Sequence, residues 1–212
     1  MQIYPVKREG NAYRDTQLSL GELPSASAIR ETISNGGFDK IASFVPFSTL
    51  KILNENELAN FEKVKNSILL CLRLVDVDKL DVAISDNGLV NRIISTAHEC
   101  ASFDEFESKL QTKKYTASAI RRAILYILLG VKQDDLESKP EYTVLLGATE
   151  RGREYLASIR KNENAIKVIT KPADADGSRQ FELSKKADAL YTLCFETTKE
   201  SGFYIKKSPV II

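Results

Sequence analysis

The chain has 212 residues, 43% of them apolar, enough for one domain or two modest ones with real cores, which excludes a disordered protein. Thirty Lys and Arg stand against 29 Asp and Glu, a formal net charge of +1, so no globally basic nucleic-acid-binding domain is present and any polyanion surface must come from local segregation of charge. The three cysteines, Cys71, Cys100 and Cys194, lack Cys-x-x-Cys spacing and argue against a disulfide framework or a zinc site, pointing to reduced thiols in a cytoplasmic protein without a metal.

No secretory signal is visible, and no apolar run approaches the roughly 18 residues that a membrane span needs. Ile3 to Val6 reads as a short strand, followed by a polar loop from Lys7 to Asp15. A strand so near residue 1, with no partner before it, suggests a chain that begins inside a domain. Ser25-Ala26-Ser27-Ala28-Ile29-Arg30 opens a helix: Ser25 or Ser27 can cap it, Ile29 and Ile33 share a face, and Gly36 stops it. Two hydroxyls and free first-turn N–H groups, with Arg30 one turn in, also suit a phosphate.

Phe38 to Phe44 reads as a short helix interrupted by Pro46, and Leu58, Phe61, Ile68, Leu69 and Leu72 keep helical spacing from about Glu57 to Leu74. Asp76 is placed to cap a small helix from Val77 to Ala83, which the turn Ser85-Asp86-Asn87-Gly88 ends. Val90, Ile93, Ile94, Ala97 and Ala101 form a 3.6-residue stripe, with His98 off it. His98 is the single histidine and has no catalytic partner placed by sequence, so it reads as a surface residue. Ser102-Phe103-Asp104-Glu105 is a capping box for a helix carrying Phe106 and Leu110.

The next helix is the central one. Ile120, Ala123, Ile124, Ile127 and Leu128 lie on one face, Thr116 is a plausible N-cap and Gly130 a left-handed stop, while Leu125, Tyr126 and Leu129 make the second half apolar on most sides. Around its amino end stand Lys113, Lys114, Arg121 and Arg122, with no acid between Lys113 and Arg122. Cations oppose the helix dipole there, at about 0.3 to 1 kcal/mol each, and a bound phosphate reverses the sign. Two readings stand: a solvated basic end, or a nucleic-acid site in which these four residues contact phosphates and Tyr115 stacks on an unpaired base. Tyr115 can equally pack beside Tyr126.

From Glu141 the pattern changes. Tyr142 to Leu146 and Ile166 to Ile169 read as strands on either side of a helix capped by Thr149, a right-handed βαβ unit with parallel strands. Gly147-Ala148-Thr149 is either a tight βα turn or an anion site. Leu183, Ala187, Leu190, Tyr191 and Cys194 outline a last helix, and Tyr204-Ile205 and Val210 to Ile212 are candidate edge strands around Pro209. The fold class is α+β, mostly α: a helical domain followed by a small βαβ-containing α/β unit.

Several motifs in order now carry a resemblance. Lys7-Arg8-x-Gly10-x-x-Tyr13-x-Asp15 with Ser25-Ala26-Ser27-Ala28-Ile29-Arg30, then Gly88-Leu89-Val90-Asn91-Arg92-Ile93, Thr112-Lys113-Lys114-Tyr115-Thr116, and Arg121-Arg122-Ala123-Ile124-Leu125 through Leu128-Leu129-Gly130 resemble the tRNA(Met) cytidine acetate ligase family, a branch of the nucleotidyltransferase superfamily. The resemblance covers nearly the whole chain, in layout more than in diagnostic residues after Pro140.

It implies three regions: residues 1–36 as the end of a nucleotidyltransferase domain, 37–140 as a helical domain, and 141–212 as a small α/β subdomain. It implies ATP-dependent activation of acetate to acetyl-adenylate and acetylation of N4 of the wobble cytidine in elongator tRNA(Met). Lys7 and Arg8 would lie near the ATP phosphates, with Ser25, Ser27 and Arg30 at the signature that closes over the nucleotide. The family's His-x-Gly-His motif is absent, and Arg14 stands where the family often has His. The chain is therefore expected to be the C-terminal portion of such a ligase, binding mainly tRNA and inactive alone. A non-catalytic helical docking module and a fragment of a small-molecule adenylyltransferase are the alternatives.

Overall fold

The apolar stripe of the central helix organises most of the chain beyond Ala59. The computed structural model describes residues 3–7, 18, 23–160, 162, 165–203 and 205–212. It divides into two compact units, Met1–Leu58 and Ala59–Ile212.

In the first unit, α1 (Ala26–Ser34) is capped by Ser25, whose hydroxyl accepts from the Ala28 N–H at 3.0 Å. A 3₁₀ turn (Phe38–Ile41) and α2 (Phe47–Glu55) follow. Pro46 therefore starts a helix instead of merely interrupting one: its fixed φ of −57° suits an N-cap and its missing N–H is not needed there. The strand expected at Ile3 to Val6 is not formed: residues 3–7 pair with no strand among the described residues. Arg8 and most of the polar loop lie outside the described residues.

In the second unit the long helix expected from Glu57 starts late. Asn60 caps a 3₁₀ turn (Phe61–Val64), its side chain accepting from the Glu62 N–H, and α3 (Lys65–Arg73) begins only there. Val77 to Ala83 shortens to a 3₁₀ turn, Val77–Lys79. Then come α4 (Asn87–Glu99), α5 (Phe103–Leu110) and α6 (Ala117–Leu129). Ile120, Ala123, Ile124 and Ile127 of α6 meet Ile68 and Leu72 of α3, Ile93 and Ala97 of α4, and Phe106 and Leu110 of α5 in one core. Cys100, not Ala101, closes the α4 stripe. Gly130 ends α6 at φ 68°, a backbone conformation that side chains with a Cβ resist.

Cations close the carbonyl ends of these helices. Arg73 donates to the carbonyls of Ala97 and Cys100 at the end of α4, and Arg92 donates to Lys109 at the end of α5. Beyond α6 lie a short helix, α7 (Gln133–Glu137), and the α/β part, whose last helix, α9 (Arg179–Thr192), supplies Arg179 to the carbonyl of Gly130 and Lys186 to that of Leu129. Arg179 also grips Asp135 with two hydrogen bonds of 2.8 Å, which holds the Asp135 carboxyl at about 2, well below its usual range.

The α/β part contains β1 (Tyr142–Val144), β2 (Gly147–Ala148), α8 (Glu150–Ile159), β3 (Lys167–Ile169) and β4 (Val210–Ile211). β1 pairs with β3 in parallel, Tyr142 opposite Lys167, as the strand, helix, strand pattern predicts. The expected single strand to Leu146 is split: Leu145 donates to Ile169, after which Leu146 accepts from Val210 and β2 pairs in parallel with β4. A Cβ on Gly147 would lie 2.9 Å from the Val210 carbonyl oxygen, so the close approach of β4 requires glycine there. Thr149 caps α8 by accepting from the Gly152 N–H, which makes this stretch a tight βα connection. Of the edge strand expected at Tyr204-Ile205, Ile205 lies in a turn and Tyr204 lies outside the described residues. Among the described residues no helix is long and apolar enough to cross a membrane, no cluster suits a metal ion, and the three cysteines are free thiols.

Because Ile120 is fully buried where α6 meets the bundle, Ile120→Ala is expected to lower unfolding stability by about 2 to 5 kcal/mol. Chemical denaturation read by circular dichroism would check this, with an unchanged midpoint contradicting α6 as the centre of the core.

Candidate nucleic-acid interface

The turn before α6 is built by its own hydrogen bonds. Thr112 accepts from the Tyr115 N–H, and Thr116 caps α6 by accepting from the Ala119 N–H. These bonds set Lys113, Lys114 and Tyr115 at the amino end of α6, with Arg121 and Arg122 just after its first turn.

The four cations do not share one environment. Lys114 Nζ lies 2.7 Å from Asp86 Oδ2, the same oxygen that accepts from the Tyr115 hydroxyl at 2.6 Å. Asp86 is also the N-cap of α4, its Oδ1 accepting from the Gly88 N–H. One carboxylate thus fastens the 113–115 turn to the start of α4. The Lys114 and Tyr115 hydrogen bonds hold the Asp86 carboxyl at about 2, and Asp86 raises the Lys114 ammonium above its ordinary value. Arg121 is paired with Glu107 of α5, which raises its guanidinium likewise. Lys113 and Arg122 are exposed and have no carboxylate partner among the described residues.

Tyr115 is half-buried against the bundle core, with Lys114 Nζ 4.8 Å from its ring centroid. Its hydroxyl is committed to Asp86, so the ring anchors the turn. Sequence reasoning did not single out Asp86, although an Asp just before an apolar helical stripe is an N-cap signal. Glu107 carried no such signal, because its pairing with Arg121 spans separate helices.

At the start of α1, the Ser25 side chain is buried and acts within the helix as its cap. Ser27 and Arg30 face each other more loosely, the guanidinium donating to the hydroxyl at 3.5 Å. Arg30 is exposed, as is Lys7; Arg8 lies outside the described residues. His98 is exposed on α4, as its position off the stripe predicts.

Known proteins share both the sequence pattern and the fold. The sequence profile of the family described as HIGH Nucleotidyl Transferase matches residues 1–203. A tRNA(Met) cytidine acetate ligase from Clostridium perfringens is 27% identical over 211 residues, an alignment that covers 98% of this chain and 52% of the relative. The ligase of that name from Fervidobacterium nodosum is 31% identical over 217 residues, covering 92% of this chain and 50% of the relative. The crystal structure of Thermotoga maritima TmcAL in its apo form I has a TM-score of 0.82 at 25% identity, with 98% of this chain and 55% of that one covered. A second structure of that protein, bound with alpha-thio ATP, reaches 0.75 at 23% identity over 89% of this chain and 52% of that one, a likeness of fold. The chain spans about half the length of these proteins.

The Asp86 carboxyl sits below its unfolded value, so its contribution to stability is full above the ordinary carboxylate range and is lost as pH falls towards about 2. Asp86→Asn is therefore expected to melt below the wild type at neutral pH, with the two melting temperatures converging as the pH approaches 2. Equal melting temperatures at neutral pH would show that Asp86 acts only as a helix cap, a role that Asn keeps.

Proposed function

Since the chain belongs to the HIGH nucleotidyl transferase family, we propose that it serves as the tRNA-contacting part of an ATP-dependent tRNA(Met) cytidine acetate ligase, an enzyme that forms acetyl-adenylate and acetylates N4 of the wobble cytidine. The observation that carries the RNA half of this reading is the pair Lys113 and Arg122, exposed and without a carboxylate partner among the described residues, around a helix amino end where cations are unfavourable to the fold. RNA phosphates at that end satisfy both the cations and the helix dipole, and they set the register of the RNA without reading its bases. Lys114 and Arg121, each held by its carboxylate, add positioned donors around the same end but little net charge. Tyr115 holds the turn in place.

For ATP, the start of α1 offers the Ser27 hydroxyl and the Arg30 guanidinium, with Lys7 and Arg8 as further cations. Preorganised donors of this kind stabilise the charge that develops as pyrophosphate leaves an adenylate. The sequence holds a single histidine, exposed on α4, so a two-histidine nucleotide motif is not available within it. In our reading this chain binds and positions, and adenylate formation needs groups beyond it. A docking module that uses only apolar contacts would leave the exposed cations at the head of α6 without a role.

Lys113→Ala combined with Arg122→Ala is expected to weaken binding of elongator tRNA(Met) and to lower the slope of log affinity against log salt by about 1.4 to 1.8, two contacts' worth. Filter binding at a series of salt concentrations gives both quantities; unchanged affinity and slope would refute the patch. Arg30→Ala is expected to weaken ATP binding about tenfold while leaving the melting temperature near that of the wild type, measured by calorimetric titration. Equal ATP affinity in the two proteins would remove Arg30 from the nucleotide site.

A further inference from the structure

Beyond the carboxyl ends of β1 and β3 the α/β part opens into a cavity of about 670 Å³. That is the side of a parallel strand pair on which ligands bind, and the volume lies within the roughly 300 to 1,000 Å³ of ligand sites. Its walls are apolar, with Val144, Leu146, Ile169 and Val210 on the strand side and Tyr191 on α9. Several of these are open to solvent: Leu146 is 81% exposed, Val210 63% and Tyr191 46%. A small molecule in so open a trough would leave much of its own surface in water, whereas one unit of a polymer brings its neighbours as a cover.

The charge at the rim selects the polymer. Lys171 and Lys207 line this cavity, Lys207 Nζ lying 5.2 Å from the Phe203 ring centroid, and Lys185, Lys206 and Asp176 line a second one of about 340 Å³ that shares Pro172, Phe181 and Ile205 with it. Lys185 is paired with Glu182. The one carboxylate among the residues lining the larger cavity, Asp188, is buried and accepts from the Gly202 N–H at 2.6 Å, which ties Gly202 to α9. Tyr191 is held by an edge-to-face contact with Phe195, ring centroids 5.3 Å apart. The site therefore combines a positioned, accessible aromatic ring, apolar walls and a lysine rim. A protein strand would find the walls but no use for the rim. A third cavity, between α7 and α9, is lined by Asp134, Asp135 and Glu141 against Lys139 and Arg179, with Arg179 already bound to Asp135, so it offers no comparable basic rim.

We propose that this cavity is a second RNA contact, taking one unstacked nucleotide of a single-stranded segment, its base against Tyr191 and its flanking phosphates along Lys171 and Lys207. This rests on the RNA reading given above and places a contact on a part of the chain that reading leaves unused. Aromatic stacking tolerates any base, so the site adds affinity for unpaired RNA with little sequence preference.

The test is fluorescence anisotropy of the whole chain with a short labelled oligocytidylate and with elongator tRNA(Met), competed by free cytidine 5′-monophosphate. Tyr191→Ala is expected to weaken oligocytidylate binding about 5- to 100-fold with an unchanged salt slope. Lys171→Ala combined with Lys207→Ala is expected to lower that slope by about 1.4. Free nucleotide is expected to compete poorly, and competition as strong as that of the oligomer would overturn the polymer assignment. Photo-crosslinking with a 4-thiouridine-containing oligomer, which needs no variant, is expected to label Tyr191 or the 205–210 segment. If the wild type binds tRNA while both variants bind as it does and crosslinks map only to the 113–122 region, this proposal falls and the first RNA contact stands. If the wild type binds neither RNA at low salt, both readings fall.

Discussion

The carbonyl end of α6 is the constraint on which the second unit depends. Gly130 turns the chain out of the helix with a left-handed φ, leaving the last carbonyls without intrahelical donors, and Arg179 and Lys186 of α9 supply them. Asp135 accepts from Nε and Nη2 of the Arg179 guanidinium, and the same Nη2 donates to the Gly130 carbonyl. This small cluster is a polar tie between the helical bundle and the α/β part, set beside the packing of α6 against α9. The same solution recurs at α4 and α5, whose carbonyl ends meet Arg73 and Arg92. In each case a cation from another helix meets the negative end of a helix dipole, so tertiary packing and helix electrostatics favour the same arrangement.

The amino end of α6 runs against that pattern, because there the charges oppose the dipole. The fold answers part of the problem: Asp86 takes Lys114, and Glu107 takes Arg121. Exposed pairs of this kind contribute little stability, and salt screens them. Their stronger effect is positional. Asp86 is fixed by its role as the cap of α4, so Lys114 and the Tyr115 hydroxyl are fixed with it, and the turn that carries Lys113 has one orientation relative to α6. A basic site preorganised in this way loses less conformational freedom when a phosphate arrives than four independent side chains would.

Much of this was legible in the sequence, for local reasons. The 3.6-residue stripes of α4 and α6, the Thr116 cap, the Gly130 stop and the strand, helix, strand order of β1, α8 and β3 are encoded within a few residues of where they act. What was not legible depends on contacts between distant positions. The helix expected from Glu57 starts later because Asn60 caps a 3₁₀ turn and donates its N–H to the carbonyl of Cys194. The strand to Leu146 changes partner because β4 arrives from the end of the chain, close enough to demand glycine at 147. For the basic end, the residues were readable but their pairing was not: sequence separates Lys113 from Lys114 by one position, while structure separates them by whether Asp86 is within reach.

The two surfaces we assign to RNA differ in the kind of energy they offer, and the tie at Gly130 relates them. At the head of α6 the contacts are charges on a helix end, which fall off steeply with salt and carry no preference for paired or unpaired RNA. Beyond β1 and β3 an aromatic ring in an apolar trough requires a base that has left its stack. Tyr191 belongs to α9, and α9 is joined to α6 through Arg179 and Lys186, so within this unit the spacing between the cationic end and the trough is set by packed helices and not by a linker. A fixed spacing favours RNA that presents a phosphate backbone and an unstacked base at one separation, a shape selection that neither surface could achieve alone.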